Sequence, residues 1–196
     1  MHNCPFCNLD NTNIVNTVIH ESDTFLVLPS KGSLCDGYLL IVPKNHINSM
    51  NELTENEKHE LLHLINKYRD KFKSIYGKFP LLFEHGSSGQ NADNSSSSIK
   101  HAHLHIVNHK FTNEIKIISE LNLQKVDIQN FFEFNNKNYI SYISNDNEFY
   151  ITYEFKPISQ QMRIYIAEDL GITNDFNWRQ NNFEENIIST IEKFKR

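Results

Sequence analysis

The sequence contains no apolar run long enough to cross a membrane and no excess of basic side chains. Its apolar stretches, such as residues 39–42 and 81–83, are several-fold shorter than the roughly 20 residues of a membrane span. Residues 1–7 lack both a basic segment and an apolar core, so we expect no signal peptide and a cytoplasmic protein without a membrane partner. The 19 basic and 24 acidic side chains give a formal charge of −5, which argues against nucleic acid as a partner.

Cysteine is also scarce, with three residues in the chain. Two of them form the pair Cys4-x-x-Cys7, and in a cytosolic chain this spacing indicates metal or redox chemistry sooner than a disulfide framework. Cys35 stands apart from the pair and is interpreted as an ordinary buried thiol.

The sequence does have enough apolar surface for a packed core, since 39% of its residues are hydrophobic and these include 14 Phe and 8 Tyr. Its 196 residues suit one domain with an appendage. Thr54 and Glu57 form a capping box that opens one long helix, and Gly77 is its expected end. Apolar runs predict strands at residues 24–29, 38–43 and 79–83.

Residues beyond 110 are less regular, with two further strands at 138–144 and 148–155 and two helices near 159–169 and 182–195. The sequence shows no internal repeat and no clean linker. We therefore expect a first domain at residues 1–110 and a C-terminal extension at residues 111–196 that packs on it.

Three histidines alternate along the chain directly after a long polar loop at residues 84–98. His101, His103 and His105 fall on one face of a predicted strand at residues 99–107, and apolar side chains fall on the other. A single histidine on a strand is most often structural, but three would leave one face of a core strand entirely imidazole. The pattern therefore indicates metal binding, or nucleophilic or acid–base chemistry on an anionic substrate.

The segment His-Ala-His-Leu-His-Ile-Val at residues 101–107 resembles the motif of the histidine triad (HIT) family over all seven positions. The apolar strand at 38–43 runs into Pro-Lys-Asn-His at residues 43–46, and the long helix lies between this strand and the triad, which is similar to the family's arrangement. The resemblance covers roughly residues 1–110. It implies an α+β, HIT-like fold with an antiparallel sheet of about five strands and one long helix, to which this chain adds a smaller α/β extension.

The resemblance implies a role for each histidine of the triad. In this family the middle histidine, here His103, attacks the α-phosphorus of a nucleotide and forms a covalent nucleotidyl-histidine that water resolves. The backbone carbonyl of the first, His101, accepts a hydrogen bond from the ring nitrogen that does not attack. The third, His105, stabilises charge near the phosphate and its leaving group. The uridylyltransferase branch has glutamine in the third place, so His105 favours water as the acceptor.

Phosphate contacts and the nucleoside are less well defined by the resemblance. Ser98 matches a serine that contacts phosphate in the phosphoramidase branch, and Gln90 in the polar loop is a second candidate phosphate ligand. The implied substrate is a purine nucleotide or a dinucleoside polyphosphate. However, Ser30 or a neighbour stands where that branch has a ribose-binding aspartate, and Glu84 stands where it has asparagine, so the base stays open.

The extension carries side chains that could reach a polyphosphate or stack on a base, although they could equally lie on the surface or in the core. They are Arg163, Trp178 and Arg179.

The resemblance also implies a structural zinc site. Cys4, Cys7, His46 and His101 are similar to the Cys₂His₂ set of many bacterial members and of the uridylyltransferases. Such a closed set leaves no position for a catalytic water, so the metal would pin the amino terminus to the active-site strand and no catalytic cofactor is expected. Mg²⁺ would arrive only with a polyphosphate substrate. His85 is an alternative fourth ligand, and a reduced cysteine pair without metal is a second alternative.

Together these features predict a nucleotide hydrolase that cleaves a nucleoside 5′-phosphoryl bond, in a phosphoramidate or a dinucleoside polyphosphate, through nucleotidyl-His103. A transferase or phosphorylase of the same family and a nucleotide-binding regulatory module with incidental turnover are the alternatives. A zinc module that binds nucleic acid is disfavoured by the acidic charge. Family members are commonly homodimers, so a homodimer is expected unless the extension covers the usual interface.

Overall fold

An antiparallel sheet forms the centre of the fold. The computed structural model describes residues 4–10, 12–87, 97–131 and 137–195. Its strands are β1 (His20–Glu21), β2 (Phe25–Pro29), β3 (Tyr38–Pro43), β4 (Leu81–Gly86), β5 (Leu104–Val107), β6 (Gln124–Val126), β7 (Tyr139–Ile143) and β8 (Phe149–Thr152). They lie side by side in the order β1-β2-β3-β5-β4-β7-β8-β6, and every neighbouring pair is antiparallel.

Helices pack on both faces of this sheet, and their combination with an antiparallel sheet fits the predicted α+β class. They are α1 (Glu55–Tyr76), α2 (Glu114–Glu120), α3 (Ile128–Phe131), α4 (Gln161–Asp169) and α5 (Glu184–Phe194). Within the described ranges, none of these helices has both the length and the apolar composition that a membrane crossing requires.

The sheet is wider than the five strands that the sequence predicts. Residues 20–107 do supply five strands, and the extension adds β6, β7 and β8 to the same sheet, which brings the total among the described residues to eight. β7 pairs with β4 from Leu82 to Gly86 and covers an edge that would otherwise present unpaired backbone groups. The boundary at residue 110 stays a prediction, and a dimer built by pairing sheet edges would have to use β1 or β6.

Helix α1 begins and ends as its sequence predicts. The Thr54 hydroxyl accepts a hydrogen bond from the backbone N–H of Glu57, and the Glu57 carboxylate accepts one from the backbone N–H of Thr54. Gly77 follows the helix with φ of 74°, a left-handed conformation that glycine adopts without steric cost. The buried face of α1 packs on one face of the sheet through Leu61, Leu64, Ile65, Tyr68 and Phe72.

The opposite face of the sheet carries the alternating histidines. Leu104 and Ile106 belong to the core on the α1 side, so His103 and His105 point to the other side, as the period of two predicts. Apolar side chains of α2 and α4 pack on this second side. As a result, an extension helix lies on the same face of the sheet as the triad.

Strand β5 begins at Leu104 and is therefore shorter than the predicted strand at residues 99–107. Continuing the register of β5 against β3 would place Ala102 opposite Pro43, which has no N–H to donate to the ladder. The Pro43 carbonyl instead accepts a hydrogen bond from Nε2 of His101, at 2.8 Å. His101 and His103 therefore lie in the segment just before the strand.

Gly86 ends β4 at a place where only glycine fits. A Cβ atom there would lie 2.1 Å from Cε1 of the Tyr139 ring, whose hydroxyl donates to the buried carboxylate of Glu84. We expect Gly86→Ala to lower the free energy of unfolding by about 1–3 kcal/mol, the usual cost of overpacking a core. Urea unfolding would measure it. In a Tyr139→Leu background, Gly86→Ala should lower the free energy of unfolding by less. An equal loss in both backgrounds would show that the clash with the Tyr139 ring is not its cause.

Candidate active site and metal cluster

Residues from three parts of the chain enclose a cavity of about 230 Å³, called here the triad pocket. The sheet contributes the imidazoles, the amino-terminal segment contributes a wall with Phe6, and the extension closes the third side. The lining of the pocket includes Phe6, Leu28, Lys31, Phe83, His85, Ser98, His103, His105, Arg163 and Trp178.

His103 is oriented by the backbone of the residue two positions before it. Its Nδ1 lies 2.7 Å from the carbonyl oxygen of His101, and because this oxygen can only accept, Nδ1 carries the proton. Burial lowers the pKa of His103 to about 4, although the hydrogen bond to His101 opposes the shift, so the ring is neutral near pH 7. Nε2 consequently keeps a free lone pair, which is what a nucleophilic histidine requires.

His105 is buried beside His103, with the two ring centroids 4.9 Å apart. It stacks on Phe83 at 4.2 Å with an interplanar angle of 9°, and its Nδ1 lies 3.0 Å from the Tyr38 hydroxyl. Burial lowers its pKa well below the usual value, and the charges of neighbouring histidines and of Arg163 add to the shift. His105 is therefore neutral, and its orientation is determined by a ring stack and one hydrogen bond.

His85 lies in the triad pocket and is not part of the cysteine cluster. On β4 it follows Phe83 at a spacing of two, so both side chains face the triad. Among the described residues its buried Nε2 has no hydrogen-bond partner. Burial, the larger cause, and the charge of His103 together lower the pKa of His85 to about 3. The pocket thus contains a third neutral imidazole, beside those of His103 and His105, and one of its nitrogens has no partner among the described residues.

Burial of a neutral His85 should make the protein sensitive to acid. Its pKa is about 3 in the folded state and about 6.5 unfolded, so the unfolded chain binds more protons between these values. Stability is then lost as pH falls below about 6.5, and the loss levels off near 3. From pH 7 to 5 this amounts to about 2 kcal/mol.

Urea unfolding at the two pH values would measure this contribution. His85→Gln should lose less stability than wild type between pH 7 and 5, whereas His59→Gln, at an exposed site on α1, should lose as much as wild type. Equal losses in wild type and His85→Gln would contradict the prediction.

The extension contributes side chains at the rim of the triad pocket. Trp178 Nε1 donates to the hydroxyl oxygen of Ser98 at 3.1 Å, and Arg179 donates to the Ser98 carbonyl at 3.2 Å. Lys31 Nζ lies 5.3 Å from the centroid of the Trp178 ring, and the Arg179 guanidinium lies 4.4 Å from it. Ser98 is thus fixed by the extension, and its own O–H has no acceptor among the residues that the structure describes.

The four predicted metal ligands converge at the back of the triad. The ligand atoms of Cys4, Cys7, His46 and His101 all lie within 4.8 Å of one another. Cys7 Sγ lies 3.2 Å from His46 Nδ1, and His101 Nδ1 lies 3.3 Å from Cys4 Sγ and 3.6 Å from Cys7 Sγ.

These four residues fit a tetrahedral metal ion. Bonds of about 2.0–2.3 Å to nitrogen and sulfur require donor-to-donor separations of roughly 3.3–3.8 Å, close to those observed. His101 Nε2 donates to the Pro43 carbonyl, which leaves Nδ1 unprotonated toward the thiols, the arrangement usual for metal-bound histidine. Two thiols and two imidazoles are the donor set that zinc prefers.

The metal cluster and the triad pocket share two structural connections. His101 contributes Nδ1 to the cluster and its carbonyl oxygen to His103. Phe6, between the two cysteines, lies with its ring centroid 5.5 Å from the rings of both His101 and His103. A metal bound at the cluster would therefore hold both the backbone that orients His103 and one wall of the pocket.

The structure places the predicted site residues as follows. His103, His105 and Ser98 line the triad pocket, while His101 lies behind it in the metal cluster. Gln90 lies outside the described residues. Sequence reasoning missed Tyr38, because a tyrosine at the start of an apolar strand cannot be told from an ordinary core residue. Its hydroxyl bond to His105 joins residues 67 positions apart.

Comparison with known proteins gives the family. Residues 3–119 match the family described as "Scavenger mRNA decapping enzyme C-term binding". The chain is 27% identical over 109 residues to "Protein hit" of Bacillus subtilis, which covers 54% of this chain and 70% of that protein. It is 23% identical over 111 residues to an uncharacterised HIT-like protein of Borreliella burgdorferi, covering 55% and 76%.

Solved structures with a similar fold include a Zn-bound histidine triad family protein from Mycobacterium smegmatis, with a TM-score of 0.43 at 16% identity over 58% of this chain and 79% of that one. A HIT family hydrolase from Legionella pneumophila also gives a TM-score of 0.43, at 23% identity over 56% and 96%. The family match spans more than half of the chain and includes all three alternating histidines. The chain therefore belongs to the histidine triad family and has its α+β fold.

Proposed function

We propose that this protein hydrolyses a nucleoside 5′-phosphoryl bond, in a phosphoramidate or a dinucleoside polyphosphate, through a nucleotidyl intermediate on His103. The observation that carries the proposal is the hydrogen bond from His103 Nδ1 to the His101 carbonyl. It leaves a neutral Nε2 lone pair at the wall of a pocket that is large enough to admit a phosphate group.

The reaction has two displacement steps at one phosphorus atom. His103 Nε2 attacks the α-phosphorus, a P–N bond forms, and the bond to the leaving group breaks with its electron pair on the leaving atom. Water then attacks the same phosphorus and gives up a proton, to solvent or to a histidine that has protonated the leaving group, while the electron pair of the P–N bond returns to Nε2. The products are a nucleoside monophosphate and the free leaving group. An imidazole suits both steps because it is a good nucleophile when neutral and a good leaving group once phosphorylated.

The charge of the triad pocket favours an anion. Its described lining residues include Lys31 and Arg163 and no carboxylate, although the whole chain has a formal charge of −5. The Ser98 hydroxyl accepts from Trp178 and can donate its proton to a phosphate oxygen, which supports the predicted phosphate contact. Gln90 stays a second candidate phosphate ligand. Phe6 and Leu28 give the other walls an apolar character suited to a purine base.

The metal cluster has a structural role in this proposal. Cys4, Cys7, His46 and His101 would hold one Zn²⁺, which supplies rigidity and no reacting group because all four positions are filled by protein atoms. No catalytic cofactor is needed for attack by a neutral imidazole, and Mg²⁺ would enter only as the counter-ion of a polyphosphate. We place the protein in the cytoplasm, because a Cys-x-x-Cys pair that binds metal is typical of cytosolic chains.

A substrate panel tests the proposal. Adenosine phosphoramidate, diadenosine tri- and tetraphosphate and a nucleotide sugar would be incubated with zinc-loaded protein, and products separated by chromatography with and without inorganic phosphate. Release of AMP that does not depend on added phosphate supports a hydrolase. A nucleoside diphosphate formed only with phosphate would indicate a phosphorylase. Tight nucleotide binding without turnover of any compound would contradict the proposal and favour a regulatory binding module.

A further inference from the structure

In the folded chain a buried arginine of the extension is separated from His105, the third histidine of the triad, by one side chain, that of Tyr38. Arg163, on α4, is 3% exposed, and its guanidinium carbon lies 5.4 Å from the centroid of the Tyr38 ring. The Tyr38 hydroxyl in turn lies 3.0 Å from Nδ1 of His105, which among the described residues is the one hydrogen-bond acceptor that it contacts. The contacts form a chain from Arg163 through Tyr38 to His105.

Arg163 is held rigidly in this position. One terminal nitrogen donates to the Gly32 carbonyl at 2.6 Å, and Nε donates to the Phe176 carbonyl at 3.0 Å. Among the described residues, no carboxylate lies within ion-pair distance of it. A buried cation without a counter-ion is costly, so its retention beside a reactive site calls for a reason other than stability.

The chain of contacts determines which nitrogen of His105 carries the proton. The Tyr38 hydroxyl is buried, so its proton needs an acceptor, and the neighbouring guanidinium of Arg163 can only donate and repels that proton. Nδ1 of His105 is the acceptor beside that hydroxyl. Burial keeps both partners neutral, since it raises the pKa of Tyr38 to about 12 and lowers the pKa of His105. The single ring proton of His105 must then lie on Nε2.

We propose that Arg163 is a positioning residue that acts through Tyr38 to hold His105 with its proton on Nε2, as a hydrogen-bond donor to the phosphoryl group or its leaving atom. The inference rests on the proposed function for the identity of the acceptor. Arg163 thereby contributes to the chemistry of the triad in addition to the positive charge that it brings to the lining of the pocket.

The two neighbouring histidines would then hold opposite tautomers. His103 has its proton on Nδ1 and presents a lone pair, whereas His105 has its proton on Nε2 and presents a donor. When the P–N bond to His103 forms, the departing atom receives an electron pair that the N–H of His105 can stabilise. With a polyphosphate the proton stays on His105, because the leaving group is an anion that needs none; the nitrogen of a phosphoramidate instead takes the proton from Nε2, and the attacking water replaces it in the second step.

The tautomer can be measured without any substrate. Wild type labelled with ¹⁵N-histidine would be compared with Tyr38→Phe and Arg163→Met by long-range ¹H–¹⁵N correlation, with His105→Gln used to assign the resonances. We expect His105 of wild type to show a protonated Nε2 and an unprotonated Nδ1. Tyr38→Phe should shift His105 toward the Nδ1–H form, and Arg163→Met should shift it in the same direction. Tyr76→Phe, which removes a hydroxyl on the α1 side, should leave it unchanged.

Kinetics would separate a positioning role from a structural one. With the phenyl ester of AMP, a poor leaving group, Tyr38→Phe should lower kcat about 10-fold with little change in KM. With the 4-nitrophenyl ester, whose leaving group needs less stabilisation, the loss should be much smaller. Equal losses on both esters would assign Tyr38 a purely structural role.

The tautomer measurement and the kinetic measurement would fail in different ways. A wild-type His105 with its proton on Nδ1, or an unchanged tautomer in Tyr38→Phe, would overturn the inference whatever the activity. If wild type turns over neither ester nor any compound of the substrate panel, the proposed function fails while the tautomer measurement still decides the arrangement. Arg163→Met also loses the hydrogen bonds to the carbonyls of Gly32 and Phe176, so this variant could fail to fold. In that case Tyr38→Phe, which keeps the aromatic ring, decides the test.

Discussion

Replacing His103 by alanine is expected to abolish release of nucleoside monophosphate, with a loss of about 10⁴-fold or more in kcat. The reason is that Nε2 of His103 is the group that would form the covalent bond to phosphorus. The side chain faces a cavity and forms one hydrogen bond, so the variant should fold and bind metal as wild type does. Chromatography of the panel products measures the effect.

The covalent intermediate itself provides a second measurement. Rapid quenching of wild type in base, where a phosphorus–nitrogen bond to histidine survives, should give a protein whose mass is higher by one nucleoside monophosphate less water. His103→Ala should never show this increase, and His63→Ala, an exposed position on α1, should behave as wild type. Turnover by His103→Ala at a rate near that of wild type would exclude His103 as the nucleophile.

Removal of the metal is the second change with a large expected effect. We expect one zinc ion per chain in wild type and none in the double variant Cys4→Ser, Cys7→Ser. At free zinc about 1,000-fold above its dissociation constant, binding contributes about 4 kcal/mol, so the midpoint of thermal unfolding should fall by about 8–16 °C. Elemental analysis and calorimetry measure the two quantities.

Metal loss should also weaken substrate binding, because the segment between the two cysteines carries Phe6 to the wall of the triad pocket. Cys35→Ser is the matched control, since Cys35 lies outside the cluster and burial raises the pKa of its thiol to about 12, which disfavours metal binding. An unchanged midpoint in the double variant, with zinc absent from wild type, would contradict the metal site and leave a reduced cysteine pair.

Local patterns in the sequence were sufficient for the elements that bear the site. The capping box at Thr54 and the glycine at position 77 define α1 because hydrogen bonds at helix ends involve residues within one turn of each other. Likewise, the period of two in residues 101–107 separates His103 and His105 from their apolar neighbours, whatever the rest of the chain does.

The role of His85 could not be predicted from local sequence patterns. Its position in the sequence allowed either a fourth metal ligand or a different role. The structure separates it from the cysteines because it lies on β4 with its side chain on the same face as that of Phe83. Side-chain direction on a strand depends on register against neighbouring strands, and here those neighbours are β5 and β7.

The amino-acid sequence by itself determined the family, the α+β class, the alternating face of the triad and the four residues of the candidate metal cluster. Only the tertiary structure decided that the extension widens the same sheet, that His85 faces the pocket, and that Arg163 reaches His105 through Tyr38. Arg163 and Tyr38 lie 125 positions apart, and a contact between such distant residues produces no periodic pattern in the sequence. It exists because β7 pairs with β4 and α4 packs on the histidine face of the sheet.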